Sequence, residues 1–378
     1  MISLHRLRHA ALLASVVAPM AVSAQAAPAP TKLDFSGYLF GGFSYNTNAS
    51  NKDQNKFNLE RAYLNFKMPV AEHLAIRVTT DIANQAAGTG YTLRAKYAFL
   101  QYDRPAANKD GFSGFVRGGV LQTVAIEHME GFWPRWMGTV PVERFGYFAS
   151  ADVGVSGQIN FPHKKGELYA AVTNGNGYAN PETDRFKSFG ARLTLSPLAA
   201  GQKRIVSSFA ISPWVELNAG ASKFVNGGTG QIGPVTGGLN KNRYGVFAGI
   251  KDPNLVIGAN FSQRIDGVES GANTASSPRS VTDVTGSLLS VFTVIRPFQL
   301  ADSKSTAPIS FLVRYDDVQP NTSLSSQSDH LFESSVIFDV AHSRRAQLAF
   351  DFQETLGTAP TSAVGQNKMF QIRMVANY

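Results

Sequence analysis

The sequence predicts an all-β protein, a closed antiparallel transmembrane β-barrel of about sixteen strands. Three observations predict it: long stretches alternate apolar with other residues, turn-forming residues separate them, and the composition is intermediate. Only 16% of the 378 residues are charged and 43% are hydrophobic, whereas soluble domains carry roughly 25% charge. A barrel with an apolar outer face and a polar interior has this composition.

The first 26 residues have the organisation of a secretory signal peptide. Basic residues, including Arg6 and Arg8, precede an apolar run that ends in small residues, with cleavage expected after Ala24 or Ala26. A membrane anchor is the alternative, but the apolar run is shorter than the roughly 20 residues that a spanning helix needs. We therefore predict a signal peptide over residues 1–26. Its removal would take two charges from the formal net charge of +8.

Residues 27–378 are predicted to form one barrel domain. The first strand sets the pattern: Phe35, Leu39 and Tyr45 share one face, and the ten steps from Phe35 to Tyr45 extend roughly 33 Å along a strand. Tilted by about 40°, such a strand spans a lipid-facing band about 25 Å high. The alternation predicts strands near 33–46, 57–68, 74–82, 92–103, 115–123, 152–161, 167–174, 187–196, 207–221, 242–251, 255–264, 281–295, 307–317, 330–341, 346–355 and 368–378.

The predicted connectors alternate between short and long. Short ones such as 69–73 and 252–254 lie between long ones such as 124–151 and 225–241. Short periplasmic turns and long external loops are typical of outer-membrane barrels. An even strand number also places both chain ends on the periplasmic side, where the first strand can pair with the last and leave no edge.

The last predicted strand places apolar residues on one face and stops on an aromatic residue. Phe370, Ile372, Met374 and Tyr378 alternate to the end of the chain. This ending resembles the C-terminal signal that the bacterial barrel-assembly machinery reads. We therefore expect that machinery, and outer-membrane lipid, to be partners of this chain.

Several short motifs together resemble the phosphate-selective porin O and P family. They are Gly37-Tyr38-Leu39-Phe40-Gly41-Gly42, Leu59-Glu60-Arg61-Ala62-Tyr63-Leu64, Ser150-Ala151-Asp152-Val153-Gly154-Val155, Val172-Thr173-Asn174-Gly175-Asn176-Gly177-Tyr178, Arg192-Leu193 with Pro197-Leu198, and Arg314-Tyr315-Asp316. The resemblance implies a homotrimeric, sixteen-stranded outer-membrane channel for small anions such as phosphate or polyphosphate. Unlike that family, the chain carries no dense run of arginine or lysine leading to a constriction.

The long connector at 124–151 is the third external loop in this prediction. It contains Trp133, Trp136, Arg135 and Arg144. In general porins the third loop folds into the lumen and narrows it, and we expect the same here, with Arg135 and Arg144 near the constriction. An external lid whose aromatic residues pack on the barrel rim is the alternative.

Several arginines of the predicted strands share the lumen-facing parity, since an arginine facing lipid at mid-depth costs roughly 2–4 kcal/mol. They are Arg61, Arg77, Arg117, Arg192, Arg264, Arg314 and Arg373. One interpretation is a wall that attracts anions. The other is structural pairing with lumen carboxylates such as Asp34, Asp81, Asp316, Asp339 and Asp351. Arg94 and Lys96 fit neither parity, and we expect them above the membrane.

The sequence predicts neither an enzyme nor a nucleic-acid-binding protein. It carries no nucleophile elbow, Walker A loop, zinc-protease motif or calcium loop, and it has no cysteine. We expect no metal and no cofactor. The neighbours Glu127 and His128 could form an acid/base pair, which is the residual enzymatic hypothesis. Two non-enzymatic hypotheses also stay open: an unselective general porin, and a barrel that serves as receptor or adhesin without a conducting pore.

Overall fold

The computed structural model describes residues 33–48, 52–84, 90–182, 186–198, 205–218, 240–270, 280–324, 326–357 and 367–378. The predicted signal peptide, residues 1–26, lies outside them. Sixteen antiparallel strands form a closed barrel, in which each strand pairs with its chain neighbours and the first pairs with the last. The predicted fold class is therefore confirmed.

Most strand boundaries lie within a few residues of the predicted ones. The eleventh strand extends six residues further, and the ninth begins three residues later; residues 219–221 of the predicted ninth strand lie outside the described residues. The first eight strands are β1 (Asp34–Asn46), β2 (Asn55–Ala71), β3 (Leu74–Asn84), β4 (Tyr91–Arg104), β5 (Ser113–Gln122), β6 (Ala151–Asn160), β7 (Gly166–Thr173) and β8 (Ser188–Leu195). The others are β9 (Ala210–Leu217), β10 (Lys241–Asp252), β11 (Leu255–Ser270), β12 (Ser280–Ile295), β13 (Ile309–Gln319), β14 (Asp329–Asp339), β15 (Ala346–Gly357) and β16 (Asn367–Asn377).

The alternation in sequence becomes an outer and an inner face. In β1, Phe35 and Leu39 point outward and are 47% and 44% exposed, whereas Phe40 points inward and is 2% exposed. The same contrast appears in β13, where Phe311 and Val313 lie outside while Leu312 is buried. The barrel thus presents an apolar outer surface, which is stable against lipid, and a mixed interior.

The connectors also alternate. One end of the barrel, here called the turn end, carries tight turns such as that between Ala71 and Leu74, together with the start of β1 and the end of β16. It also carries longer connectors, between β8 and β9 and between β12 and β13, so the predicted alternation holds only in part. The opposite end, here called the loop end, carries the longest described connector, that between Gln122 and Ala151. His73, His163 and His342 lie in turns at the turn end with φ of 61°, 56° and 56°, in the left-handed region that histidine tolerates better than most residues. Among the described residues, no helix is long and apolar enough to cross a bilayer.

Two of the three register shifts in the wall formed by β1–β4 are β-bulges that place charged residues inside the barrel. Thr79 pairs with Tyr97 while Thr80 pairs with Ala95, so Lys96 is an extra residue in β4. A bulge shifts the side-chain parity by one, and as a result Lys96 and Tyr97 are both buried inside the barrel, at 3% and 5% exposure. The expectation that Lys96 lies above the membrane was wrong, because the bulge changes the parity on which it rested.

The second bulge lies in β2 and works in the same way. Phe40 pairs with Arg61 and Gly41 pairs with Leu59, which leaves Glu60 as the extra residue. Glu60 reaches Arg373 of β16 at 3.2 Å, and Arg61 reaches Asp81 of β3 at 2.8 Å. Two consecutive charged residues therefore enter the barrel interior at this point.

Candidate channel and its charged lining

Residues 123–150, here called the inner loop, connect β5 to β6 and lie inside the barrel. The loop contains helix α1 (Ile126–Glu130), a 3₁₀ turn (Arg135–Met137) and helix α2 (Pro141–Arg144). It contacts inward-facing side chains of strands from much of the barrel circumference, namely Arg192, Ser212, Arg243, Arg264, Phe292, Arg314, Gln353 and Arg373. A segment with such contacts can only lie in the lumen, so the predicted inward folding is confirmed and the external lid is wrong.

The inner loop has an apolar core of its own. The buried residues are Val124, Ala125, Ile126, Met129, Trp133, Trp136, Met137, Val140, Val142, Phe145, Tyr147 and Phe148. They pack against aromatic residues of the wall: Trp133 lies 5.0 Å from Phe292 and Phe148 lies 5.1 Å from Trp214, measured between ring centroids. Apolar burial on this scale holds the loop in place.

Carbonyl groups of the inner loop accept hydrogen bonds from buried arginines of the wall. Arg314 donates to the Thr139 carbonyl at 2.8 Å and Arg192 donates to the Val124 carbonyl at 2.6 Å. Each of these arginines also binds a carboxylate of its own or the adjacent strand: Arg314 contacts Asp316 at 2.6 Å, and Arg192 contacts Glu167 at 2.6 Å. The carboxylate compensates the buried charge while the spare guanidinium donors hold the loop backbone.

The predicted site residues therefore fall into two groups. Arg192 and Arg314 anchor the loop, as does Arg117, which binds Gln101 at 2.5 Å and lies 3.7 Å from Glu127. Arg144 also belongs here: its guanidinium donates to Gln353 at 3.3 Å, and burial together with the neighbouring Arg314 lowers the pKa of Arg144 to about 10. For these four residues the geometry agrees with the structural interpretation, in which the arginines bind groups of the protein.

Arg61, Arg77 and Arg135 form the second group and line open space. Arg135 makes two hydrogen bonds to Glu143, at 2.6 and 3.2 Å, and its Nε lies 3.4 Å from Glu130. All three arginines lie on the side of the interior that faces β1–β4, where the inner loop does not fill the barrel.

Two cavities meet at Arg135. The loop-end cavity has a volume of about 370 Å³ and is bounded by Lys56, Asn58, Glu60, Arg61 and Arg135, among others. The turn-end cavity has a volume of about 460 Å³ and shares Arg135. It is bounded further by Tyr38, Tyr63, Asn65, Arg77, Thr79, Lys96, Tyr97, Glu130, Trp133, Pro134 and Asn377. Both are lined by residues of β1–β4, one nearer the loop end and the other nearer the turn end, and Arg135 is the lining residue that they share.

Sequence reasoning missed Lys96 and the aromatic lining of the turn-end cavity. The position of Lys96 was predicted wrongly because the bulge changes the side-chain parity. The lining includes Tyr38, Tyr63 and Tyr97, which are inward-facing residues of β1, β2 and β4. Tyr38 and Tyr63 share an inward parity already visible in the sequence, and aromatic residues at polar-face positions were the available signal.

Glu127 and His128 do not form a catalytic pair in this structure. The His128 ring is buried between Phe132 and Phe247, and its Nε2 lies 2.8 Å from the Ser212 hydroxyl. Burial, reinforced by the Arg192 charge, lowers the pKa of His128 to about 3, so the imidazole is neutral near pH 7. Glu127 instead faces Arg117. The two side chains have separate structural partners.

Comparison with known proteins gives the fold alone. No protein-family model matches the sequence, and no curated protein matches it significantly. Solved structures do match. An anion-selective porin from Comamonas acidovorans superposes with a TM-score of 0.60 at 8% identity, over 92% of this chain and 99% of that one. Salmonella typhi OmpF, in complex with daunomycin, superposes with a TM-score of 0.59 at 11% identity, over 93% of this chain and 100% of that one.

A third similar structure is the outer-membrane channel DcaP of Acinetobacter baumannii, with a TM-score of 0.57 and 12% identity over 93% of this chain and 100% of that one. Coverage is nearly complete in each case, so the likeness concerns the whole barrel. Identities this low carry no substrate or selectivity to this chain. The resemblance to phosphate-selective porins stays a prediction.

Proposed function

We propose that this protein is an outer-membrane porin that conducts small anions by passive diffusion and has no enzymatic activity. The observation that carries the proposal is the pair of cavities that meet at Arg135 inside a closed sixteen-stranded barrel. Barrels of this strand number leave an aqueous interior when side chains alone line it. Here the inner loop fills one side and directs solutes to the wall formed by β1–β4.

The charges along that wall favour anions. Lys56, Arg61, Arg77, Arg94, Lys96 and Arg135 outnumber the carboxylates Glu60, Asp81, Glu130 and Glu143 on the same side of the interior. An excess of fixed positive charge in a confined aqueous passage lowers the energy of anions and raises that of cations. We propose that Arg61, Arg77 and Arg135 form the anion path. Phosphate is the solute that the sequence resemblance suggests.

The proposal includes the predicted export and assembly. Residues 1–26 would direct the chain across the inner membrane, and the strand that ends at Tyr378 would be read by the barrel-assembly machinery. The apolar outer face would contact lipid, and in part neighbouring copies in a homotrimer. Gel electrophoresis tests the homotrimer: an unheated sample should migrate as a trimer and a heated sample as a monomer.

Reversal potential across a chloride gradient tests the function. The purified protein in a planar bilayer should give a zero-current potential of anion-selective sign. Arg135→Gln should shift it toward zero, because one fixed cation leaves the junction of the cavities. The double substitution Arg135→Gln with Glu143→Gln removes the bonded pair without changing net charge, and it should preserve the selectivity. A barrel that inserts but conducts no ions would refute the porin and favour the receptor or adhesin hypothesis; conductance without selectivity would favour a general porin.

A further inference from the structure

Lys96 stands out among the buried charges of the barrel. Its side chain is 3% exposed, yet within the described residues it forms no ion pair with a carboxylate. The Nζ atom has one hydrogen bond, to the Tyr63 hydroxyl at 3.4 Å. It lies 4.6 Å from the ring centroid of Tyr63 and 5.4 Å from that of Tyr97. An ammonium group has three donors, and burying it without an anionic partner is costly.

Arg77 has a similar environment and also lies beside Tyr97. Its guanidinium carbon lies 5.0 Å from the Tyr97 ring centroid, and it donates to Thr79 at 3.1 Å and Asn65 at 3.3 Å. Across the part of the chain that the structure describes, it too has no carboxylate ion pair. This separates Arg77 and Lys96 from the arginines described above, such as Arg61 and Arg314, which bind Asp81 and Asp316.

Both cations border the turn-end cavity, and so do four aromatic residues, Tyr38, Tyr63, Tyr97 and Trp133. The cavity, of about 460 Å³, is therefore positive where its cations reach it and aromatic over much of the remaining wall. Glu130 borders it as well; Arg135 lies 3.4 Å from that carboxylate but also bonds Glu143, so it offsets the Glu130 charge only in part.

We propose that the turn-end cavity is a binding site for aromatic carboxylates, with Arg77 and Lys96 holding the carboxylate group. This inference rests on the proposed anion channel and names its solute class. An inorganic anion would use only the two cations. An aromatic carboxylate uses the cations through charge-assisted hydrogen bonds and the aromatic wall through ring contacts. The bulge at Lys96 creates the site, because it places an ammonium and the Tyr97 ring side by side.

Binding is measured first on the folded protein in detergent, by calorimetry, with benzoate, cyclohexanecarboxylate, acetate and phosphate. Benzoate should bind about fivefold more tightly than cyclohexanecarboxylate, which has the same charge but no aromatic ring. Lys96→Gln and Arg77→Gln should each weaken benzoate binding about tenfold or more, and Lys96→Arg should retain most of it. Lys67→Gln is the matched control: it removes a cation from the inner face of β2 outside both cavities, and it should leave benzoate binding unchanged.

Tyr97→Leu addresses the aromatic part. It should abolish the preference of benzoate over cyclohexanecarboxylate while the charge-dependent binding remains. Heat-modifiable migration on gels verifies that each variant is folded. Phosphate binding equal to or tighter than benzoate binding would overturn the inference, and so would benzoate binding that neither Lys96→Gln nor Arg77→Gln weakens. Block of chloride current by benzoate is measured separately. A protein that conducts anions but does not bind benzoate refutes only this inference, and one that does not conduct refutes the proposed function.

Discussion

Replacing Arg314 with methionine should release the inner loop from the barrel wall. The Arg314 guanidinium is 0% exposed; it binds Asp316 through contacts of 2.6 and 3.0 Å and donates to the Thr139 carbonyl of the loop at 2.8 Å. Its guanidinium carbon also lies 4.7 Å from the Trp133 ring centroid. The substitution removes the hydrogen bond to the Thr139 carbonyl and leaves the Asp316 carboxylate buried without its cation. The Ser290 hydroxyl still donates to this carboxylate at 2.5 Å.

Breaking a buried ion pair by removing one partner costs about 3–5 kcal/mol. Asp316 is fully buried, and its partner Arg314 bonds the inner loop; we expect that movement of the loop admits water to Asp316, so this cost favours the released loop. If the loop is the only part of the protein that responds, the equilibrium between packed and released loop shifts toward release by about a hundredfold to a few thousandfold. Single-channel conductance should then rise and fluctuate. We expect trypsin to leave the packed loop intact and to cleave the released loop after Arg135 and Arg144.

Two further variants make this prediction specific. Arg314→Met combined with Asp316→Asn leaves no unpaired charge, and it should restore most of the packed loop. Arg296→Met breaks a comparable buried pair with Asp339, bonded at 2.7 and 2.9 Å, near the turn end. That variant should lower thermal stability without changing conductance. Wild-type conductance and protease resistance in a folded Arg314→Met protein would refute the reasoning.

Three other predictions concern the loop, the pH response and the barrel closure. Replacing residues 125–149 by a short Gly-Ser linker should raise single-channel conductance several-fold, and unchanged conductance would contradict a constricting loop. Burial raises the pKa of Glu130 above its ordinary value, so on acidification this carboxylate is neutralised before exposed ones. Anion preference, read from reversal potentials, should therefore increase as pH falls, and Glu130→Gln should remove that contribution. In Gly37→Val the new Cβ would lie 1.9 Å from the Tyr378 ring; displacing the ring should cost about 1–3 kcal/mol and lower the temperature of heat-modifiable unfolding. Gly118→Val, whose Cβ meets nothing within 4 Å, should leave that temperature unchanged. Equal effects of the two substitutions would argue against the contact between Gly37 and Tyr378.

The strands were predictable because one physical requirement repeats along the whole chain. Each strand must present apolar side chains outward, so Phe35 and Leu39, or Phe311 and Val313, alternate with inward residues. Inward folding of the inner loop was predicted from the third loop of general porins, whereas its aromatic residues were also compatible with an external lid. What the loop packs against could not be predicted, since its partners on β8–β16 are remote in sequence.

The bulges were not predictable for a different reason. A bulge is a property of two paired strands, and it appears only when the spacing of one strand is compared with that of its partner. Glu60 and Lys96 broke the alternation in sequence, but their side could not be assigned without the partners Phe40 and Thr79. The ion pairs divide similarly. Arg314 and Asp316, two residues apart on one face, could be paired from sequence. Only the structure shows that Arg77 and Lys96, among the described residues, have no carboxylate within ion-pair distance.

The pairing of β1 with β16 constrains how this protein folds and how long it lasts. Asn46 and Asn367, whose side chains bond across this seam at 2.5 Å, are 321 residues apart in the chain. The barrel can close only after every intervening strand has been laid down, and such distant contacts form slowly. The closed ring has no terminal strand from which pairing can be removed one residue at a time. Disassembly must therefore open a whole seam at once, and we expect the folded protein to persist for a long time even where its equilibrium stability is modest.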